Sequence, residues 1–354
     1  MPTKISWTGE TWNPTVGCAR VSEGCRNCYA EHAAAMVNRT QGERSPYRDL
    51  IKLTGGRRRD PQWTGRAKFL ADRLAIPFGW QKPRRVFVDS MSDLFHADIT
   101  NEQIAAVFGA MAATPRHTYQ ILTKRPARMV EWFRWVDGLE VDQWTECHAA
   151  AIALDDGAEA IHRRSEEAPG RPWPLRNVWL GVSVENQAAA DERIPLLLQT
   201  PAAVRFISAE PLLGPVDLVL RGTTVKGWDE DWKYDTLRGV EWASPRDDKE
   251  DGTSPSLDWV IAGCESGAGA RPCDVAWLRS LRDQCEAAGV PFFLKQAVEQ
   301  EHPDFGELGP ALTRPVVNLG AGSHRKGRGH GGSVIELPYL DGVQHAAFPE
   351  VADA

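Results

Sequence analysis

The stretch Val178-Trp179-Leu180-Gly181-Val182-Ser183-Val184-Glu185-Asn186 holds the pattern that decides the fold: a short apolar run, a polar turn, then helix-like sequence over 185–199. A short apolar run without alternation reads as a parallel strand covered on both faces. The same pattern recurs at Arg85-Val86-Phe87-Val88-Asp89, Thr118-Tyr119-Gln120-Ile121-Leu122, Val204-Arg205-Phe206-Ile207-Ser208, Trp259-Val260-Ile261-Ala262 and Pro291-Phe292-Phe293-Leu294. A further strand is expected over 11–16, ahead of Cys18. Helical sequence separates these runs. Thr100 and Gln103 form a capping box before 104–113. Residues 275–288 place Leu278, Leu281 and Cys285 on one stripe, with Gly289 as the C-cap. Pro195 should kink or end the helix over 185–199. Such alternation predicts an α/β fold, a partial or full TIM-like (βα) barrel of parallel strands.

Two segments interrupt the alternation and read as insertions, 137–176 and 219–256. The barrel is expected to occupy 1–300, followed by a C-terminal extension over 301–354 with a flexible basic loop at 320–332. At 354 residues, 42% hydrophobic and 25% charged, the chain has globular composition, which excludes disordered and collagenous classes. It has no apolar run near the roughly 18 residues of a membrane span, and no signal-peptide apolar region, so a cytoplasmic protein is expected. The net charge of −7 hides an asymmetry. Residues 39–85 hold thirteen Lys/Arg against four Asp/Glu, whereas 137–176 hold nine acidic against four basic residues.

Functional groups of parallel α/β folds gather past the carboxyl ends of the strands. Those ends are polar here: Asp89-Ser90-Met91-Ser92-Asp93, Thr123-Lys124-Arg125, Ser183-Val184-Glu185-Asn186, Ser208-Ala209-Glu210-Pro211, Gly263-Cys264-Glu265-Ser266-Gly267 and Lys295-Gln296. The sharpest signal is Cys18-(six residues)-Cys25-Arg26-Asn27-Cys28. Seven cysteines is an odd number, which speaks against a complete disulfide framework. Three thiolates on one loop suit a [4Fe-4S] cluster that keeps one iron open. The alternatives are a structural zinc held by Cys18, Cys25, Cys28 and His32, and unliganded cysteines.

A strand, a cysteine-rich loop and a series of βα units together resemble the radical S-adenosylmethionine superfamily, although C-x6-C-x2-C departs from its usual C-x3-C-x2-C spacing. The stretches Trp7-Thr8-Gly9-Glu10-Thr11-Trp12-Asn13-Pro14, Gly17-Cys18 and Cys25-Arg26-Asn27-Cys28-Tyr29-Ala30-Glu31 are similar to a narrower group, the phage and prophage three-Cys-motif proteins. Later blocks at Leu122–Pro126, Gly181–Asn186, Ser208–Leu212 and Gly263–Gly267 look alike too, so the resemblance spans roughly 5–300. It implies that Cys18, Cys25 and Cys28 hold [4Fe-4S] and that S-adenosylmethionine chelates the open iron. A 5′-deoxyadenosyl radical would then be released, with a flavodoxin or ferredoxin as reductant. It further implies that Ser90, Ser92 and Asp93 receive the methionine amino group and that Lys124 or Arg125 meets its carboxylate. Ser183, Glu185 and Asn186 would hold the ribose. Glu210, Glu265 and Lys295 are the candidates for substrate contact or proton transfer; an ion pair is the competing role for each. A phage origin would place the protein in the host cytoplasm. Cys264 could reach the cluster or simply pack.

The basic segment 39–85 interleaves Arg57-Arg58-Arg59, Arg66, Lys68, Arg73, Lys82, Arg84 and Arg85 with Tyr47, Trp63, Phe69 and Trp80. Cations attract phosphates and exposed aromatics stack on bases, so nucleic-acid contact is one expectation. A solvated surface anchored by its aromatics is the other. Three functions stay open: a radical enzyme acting on nucleic acid, nucleotide or an associated protein; a non-catalytic iron–sulfur or zinc nucleic-acid-binding protein; and a conventional barrel enzyme with a structural cysteine loop. His96 and His117 read as structural groups.

Overall fold

The computed structural model describes residues 3, 5–55, 60–139, 143–154, 173–222, 232–242, 254–266, 269–298, 312–313, 334–337 and 339–350. The chain divides into two compact units, one of residues 1–181 with 199–203 and one of residues 182–198 with 204–354.

The first unit begins with β1 (Glu10–Trp12) and β2 (Thr15–Val16), then α1 (Tyr29–Gln41), β3 (Ile51–Thr54), β4 (Asp60–Trp63), β5 (Lys68–Phe69) and β6 (Arg85–Val88). It continues with α2 (Asn101–Ala112), β7 (Thr118–Thr123), α3 (Pro126–Asp137), α4 (Gln143–Leu154) and most of β8 (Val178–Ser183). β1 pairs parallel with β6, and β6 parallel with β7. The strand expected over 11–16 is therefore two strands. Pro14 has no N–H to give a ladder, its carbonyl takes Leu70 N–H at 2.8 Å, and β2 turns away to pair antiparallel with β5. The capping box of α2 forms as expected, Thr100 Oγ1 accepting from Gln103 N and Gln103 Oε1 from Thr100 N. Within the insertion 137–176, α4 lies against α2: a Cβ on Gly109 would meet the Cys147 carbonyl oxygen at 2.0 Å. The acidic remainder, 155–172, is outside the described residues.

The second unit carries α5 (Gln187–Leu198), β9 (Val204–Ala209), β10 (Val219–Arg221), β11 (Lys233–Asp235), β12 (Val240–Trp242), β13 (Trp259–Gly263), α6 (Val275–Ala288) and β14 (Phe292–Val298). After these come β15 (Leu312–Thr313), β16 (Val334–Glu336), β17 (Tyr339–Leu340) and β18 (Val343–Gln344). β13 pairs parallel with β9 and with β14. Pro195 does not break α5, whose buried Ile194, Leu197 and Leu198 hold the helix through it. The insertion 219–256 contains an antiparallel meander, β10-β11-β12, that its polar sequence did not announce. α6 has the expected buried stripe Leu278, Leu281 and Cys285, and ends on Gly289 at φ +71°.

The main sheet runs β1-β6-β7-β8-β9-β13-β14-β16, seven parallel strands followed by antiparallel β16. Parallel strands neighbouring one another in chain order, with helices between them, are the topology of a partial TIM-like (βα) barrel. The C-terminal extension contributes β16 at the end of that sheet, and its basic loop, 320–332, is outside the described residues. No helix of the described residues is long and apolar enough to cross a membrane.

Candidate functional site

The cysteine loop is anchored at both ends. At its start Gly17 has φ +87°, and a Cβ there would meet the Arg66 carbonyl oxygen at 2.4 Å, so only glycine fits. At its end Cys28 is the N-cap of α1. Arg20 and Glu31 close the loop across its base: Arg20 Nε donates to Glu31 Oε1 at 2.9 Å, and Arg20 Nη2 pairs with Oε2. Glu31, buried to 1% exposure, also accepts the Trp63 N–H at 3.0 Å. A buried carboxylate this well partnered is structural.

The three thiols are half-buried and form no disulfide. Burial pushes the Cys18 thiol up to about 12, Asp93 adds to this, and the Arg125 guanidinium opposes it. Burial likewise raises Cys28, opposed by the backbone N–H groups of Ala30 and Glu31 at the start of α1. Donors aimed at a sulfur favour its thiolate, the state that binds metal. Arg125 is the central clamp. It donates to Cys18 Sγ at 3.7 Å, to the Ala19 carbonyl at 2.9 Å and to Asp93 Oδ2 at 2.8 Å. Asp93 in turn accepts Thr123 Oγ1 at 2.8 Å, Lys124 N at 3.1 Å and Phe95 N at 3.0 Å. Cys18 and Cys28 also pack on a small core of Val16, Ala30, Ala34, Tyr47, Leu50 and Trp63.

Among the described residues no group of three or more His, Cys, Asp and Glu side chains is gathered as the ligands of a single metal ion. His32, the fourth ligand of the zinc alternative, lies on an exposed position of α1. A single zinc needs four donors at about 2.0–2.3 Å from one point, whereas a cubane cluster takes its cysteines on separate irons. Three soft donors on one loop, with an arginine on the Cys18 sulfur, fit the cluster.

The turn after β6 joins this site. Asp89 has φ +59° and 3% exposure; its Oδ1 accepts Thr15 N at 3.0 Å, and its Oδ2 is buried without a hydrogen-bond partner. Burial raises this carboxyl to about 7. Ser90 Oγ donates to Asn13 Oδ1 at 3.1 Å, and Ser92 Oγ to the Thr15 carbonyl at 2.9 Å. Ser90, Ser92, Asp93 and Arg125 are thus brought together, all with protein partners, beside Cys18.

In the second unit the expected residues lie at or near strand ends and are also engaged. Glu185 forms a buried ion pair with Arg193 at 2.8 Å, and the Ser183 carbonyl accepts the same guanidinium. Asn186 Oδ1 accepts Ala189 N at 3.0 Å, capping α5. Glu210 pairs with Lys295, and Glu265 accepts Arg271 through Nε at 3.0 Å and Nη2 at 2.7 Å. Lys295 is not past its strand, because β14 runs on to Val298. Buried Cys264 and Cys273 hydrogen-bond to one another, which raises the Cys273 thiol strongly.

Two aromatic expectations need correction. Trp63 and Tyr47 are buried, their ring centroids 6.3 Å apart, so they anchor the basic segment rather than present a stacking surface. His117, fully buried with Nε2 at 3.1 Å from the Pro77 carbonyl, is structural as read. Arg57, Arg58 and Arg59 are outside the described residues. Sequence reasoning did not assign Arg20, Arg193 or Arg271, nor a role for Glu31. The one available signal was Glu31 itself, a charge on the buried α1 face between Ala30 and Ala34.

A family described as "Protein of unknown function (DUF5131)" matches residues 2–349. No curated protein and no solved structure matches the chain.

Proposed function

We propose that this chain, which belongs to the family so described, is an iron–sulfur enzyme of the radical S-adenosylmethionine type. The observation that carries the reading is the cysteine loop: three half-buried thiols free of disulfides on one loop, with the Arg125 guanidinium on the Cys18 sulfur, beside the carboxyl end of β6. Cys18, Cys25 and Cys28 hold [4Fe-4S]. When bound, the cluster and S-adenosylmethionine supply one-electron cleavage of a sulfonium and a 5′-deoxyadenosyl radical for hydrogen abstraction. The electron comes from a flavodoxin or ferredoxin.

The chain's own part is positioning. Arg125 and Asp93 lock the loop, and Cys28 stands at the N-terminus of α1, whose dipole favours an anionic sulfur. Ser90, Ser92 and Lys124 serve the methionine end of the cofactor, and Ser183, Glu185 and Asn186 its ribose. With Arg125 and Asp93 already paired, their contribution is to orient the loop as much as to touch the cofactor. Glu210, Lys295 and Glu265 are ion-paired groups for substrate contact or proton movement.

The test is electron paramagnetic resonance of the anaerobically reduced protein with and without S-adenosylmethionine, with 5′-deoxyadenosine measured by mass spectrometry. The reading requires a changed spectrum and released nucleoside. A reconstituted cluster with an unchanged spectrum and no cofactor binding would favour the non-catalytic alternative.

A further inference from the structure

We infer that the basic shell folded around the cysteine loop binds single-stranded nucleic acid and, resting on the reading above, that such a strand is the substrate class of this site. The shell and the loop are one local structure. Tyr47, Leu50 and Trp63 from the basic segment share a core with Val16, Ala30 and Ala34, and Cys18 and Cys28 pack against that core. Lys68 pairs across β5 and β2 with Val16, two residues before Cys18, and its Nζ donates to the Arg48 carbonyl at 3.2 Å. The carbonyl of Arg66 presses on Gly17. A ligand held at Lys68 therefore lies close to the start of the cysteine loop.

The charge is available. Arg39, Arg44, Lys52 and Lys68 are exposed, and among the described residues no carboxylate pairs with them. By contrast Arg66 is committed to Asp98 and Arg84 to Glu10. Cations left without a carboxylate among the described residues, in a chain of net charge −7, select for a polyanion. The same surface offers an aromatic ring. With Trp63 buried, the exposed ring is Tyr29, 57% exposed and first in α1 after Cys28, its hydroxyl held by the Ser90 carbonyl at 2.6 Å. Met36, one face-repeat along α1, is 55% exposed. A fixed aromatic and an apolar side chain on the helix that also carries Arg39 match a strand whose bases are free to stack and whose phosphates repeat. A duplex hides its base faces, and an acidic peptide offers none.

The experiment is a fluorescence-anisotropy titration of the full chain with labelled oligo(dT) and oligo(U) of about 20 nucleotides, a duplex of equal length and poly-glutamate. Four phosphate contacts predict a log–log salt slope of about −2.8, or roughly 50-fold weaker single-strand binding at about 200 mM than at about 50 mM salt. Alanine at Arg39, Arg44, Lys52 and Lys68 together should flatten that slope. Tyr29→Ala should weaken single strands about tenfold while leaving the slope and the duplex unchanged. Unfolding midpoints of both variants serve as the check on folding, since all five side chains are exposed. Cys18→Ser should bind the strand as the parent does, so loss of the cluster and loss of the nucleic-acid surface read out separately. No binding at the lower salt would overturn the inference. So would poly-glutamate binding as tightly as oligo(dT) with no effect of Tyr29→Ala, which would mark the surface as a dock for an acidic protein.

Discussion

Substituting Gly17 by alanine tests how tightly the cysteine loop is clamped. Two costs combine. The first is the left-handed backbone at φ +87°, about 1–2 kcal/mol for a residue with a Cβ. The second is steric: the added Cβ would stand 2.4 Å from the Arg66 carbonyl oxygen, 3.0 Å from Leu50 Cδ1 and 3.3 Å from Ala67 Cα. Two of those three atoms are backbone, and overpacking of this kind costs about 1–3 kcal/mol. Gly65 provides the internal control. It has φ +90° and nothing within 4 Å of its missing Cβ, so Gly65→Ala carries a backbone cost of the same kind without the clash. Glycine's extra unfolded-state entropy cancels between the two variants. The difference between them is then the steric part, about 1–3 kcal/mol. With a urea dependence of about 3 kcal/mol per molar, Gly17→Ala should lose cooperative structure at about 0.3–1 M less urea than Gly65→Ala, followed by tryptophan fluorescence. Iron loading should fall in Gly17→Ala alone. Equal midpoints for the two variants would show that the Arg66 carbonyl can withdraw, and the argument for a fixed loop would fail.

Arg125→Met should destabilise the first unit by about 2–4 kcal/mol in urea unfolding, because it strips a buried cation from Asp93 while leaving that carboxylate three other donors. It should also reduce iron per chain at neutral pH, since Cys18 loses the cation that opposes its raised thiol; Arg125→Lys should recover only part, as an ammonium lacks the planar fork. Asp89 predicts a pH effect of definite sign. Its folded value is raised to about 7 from the ordinary carboxyl range near 4, so the folded state holds the extra proton and stability declines as pH rises from about 4 through 7. Asp89→Asn removes that decline and suits the φ of +59°, so its stability relative to the parent should grow over this range, by on the order of 3–4 kcal/mol at most. A pH-independent difference between the two proteins in urea unfolding would refute it.

What was legible was local. The apolar runs at Arg85–Val88, Thr118–Thr123 and Val178–Ser183 are strands because each is short and covered, and Thr100, Gln103 and Gly289 cap their helices with their own atoms. The grouping of three cysteines is equally local. What escaped depends on partners far along the chain. Glu210 meets Lys295 across 85 residues, and Arg125 reaches Cys18 across 107. Trp63 looked like a stacking residue because cations surround it in sequence, but β3 and β4 fold it inward onto Tyr47. Pro14 redirected a strand and Pro195 failed to break a helix; burial of the neighbouring side chains decided the second case, and proline's missing donor the first.

Metal analysis of anaerobically purified protein tests most directly whether the three cysteines act as one cluster site. About four irons and four sulfides per chain are predicted, falling sharply in Cys18→Ser, Cys25→Ser and Cys28→Ser and unchanged in Cys285→Ser, whose thiol is buried in the α6 stripe. Stoichiometric zinc without iron, or full iron with an unchanged spectrum in Cys18→Ser, would contradict it.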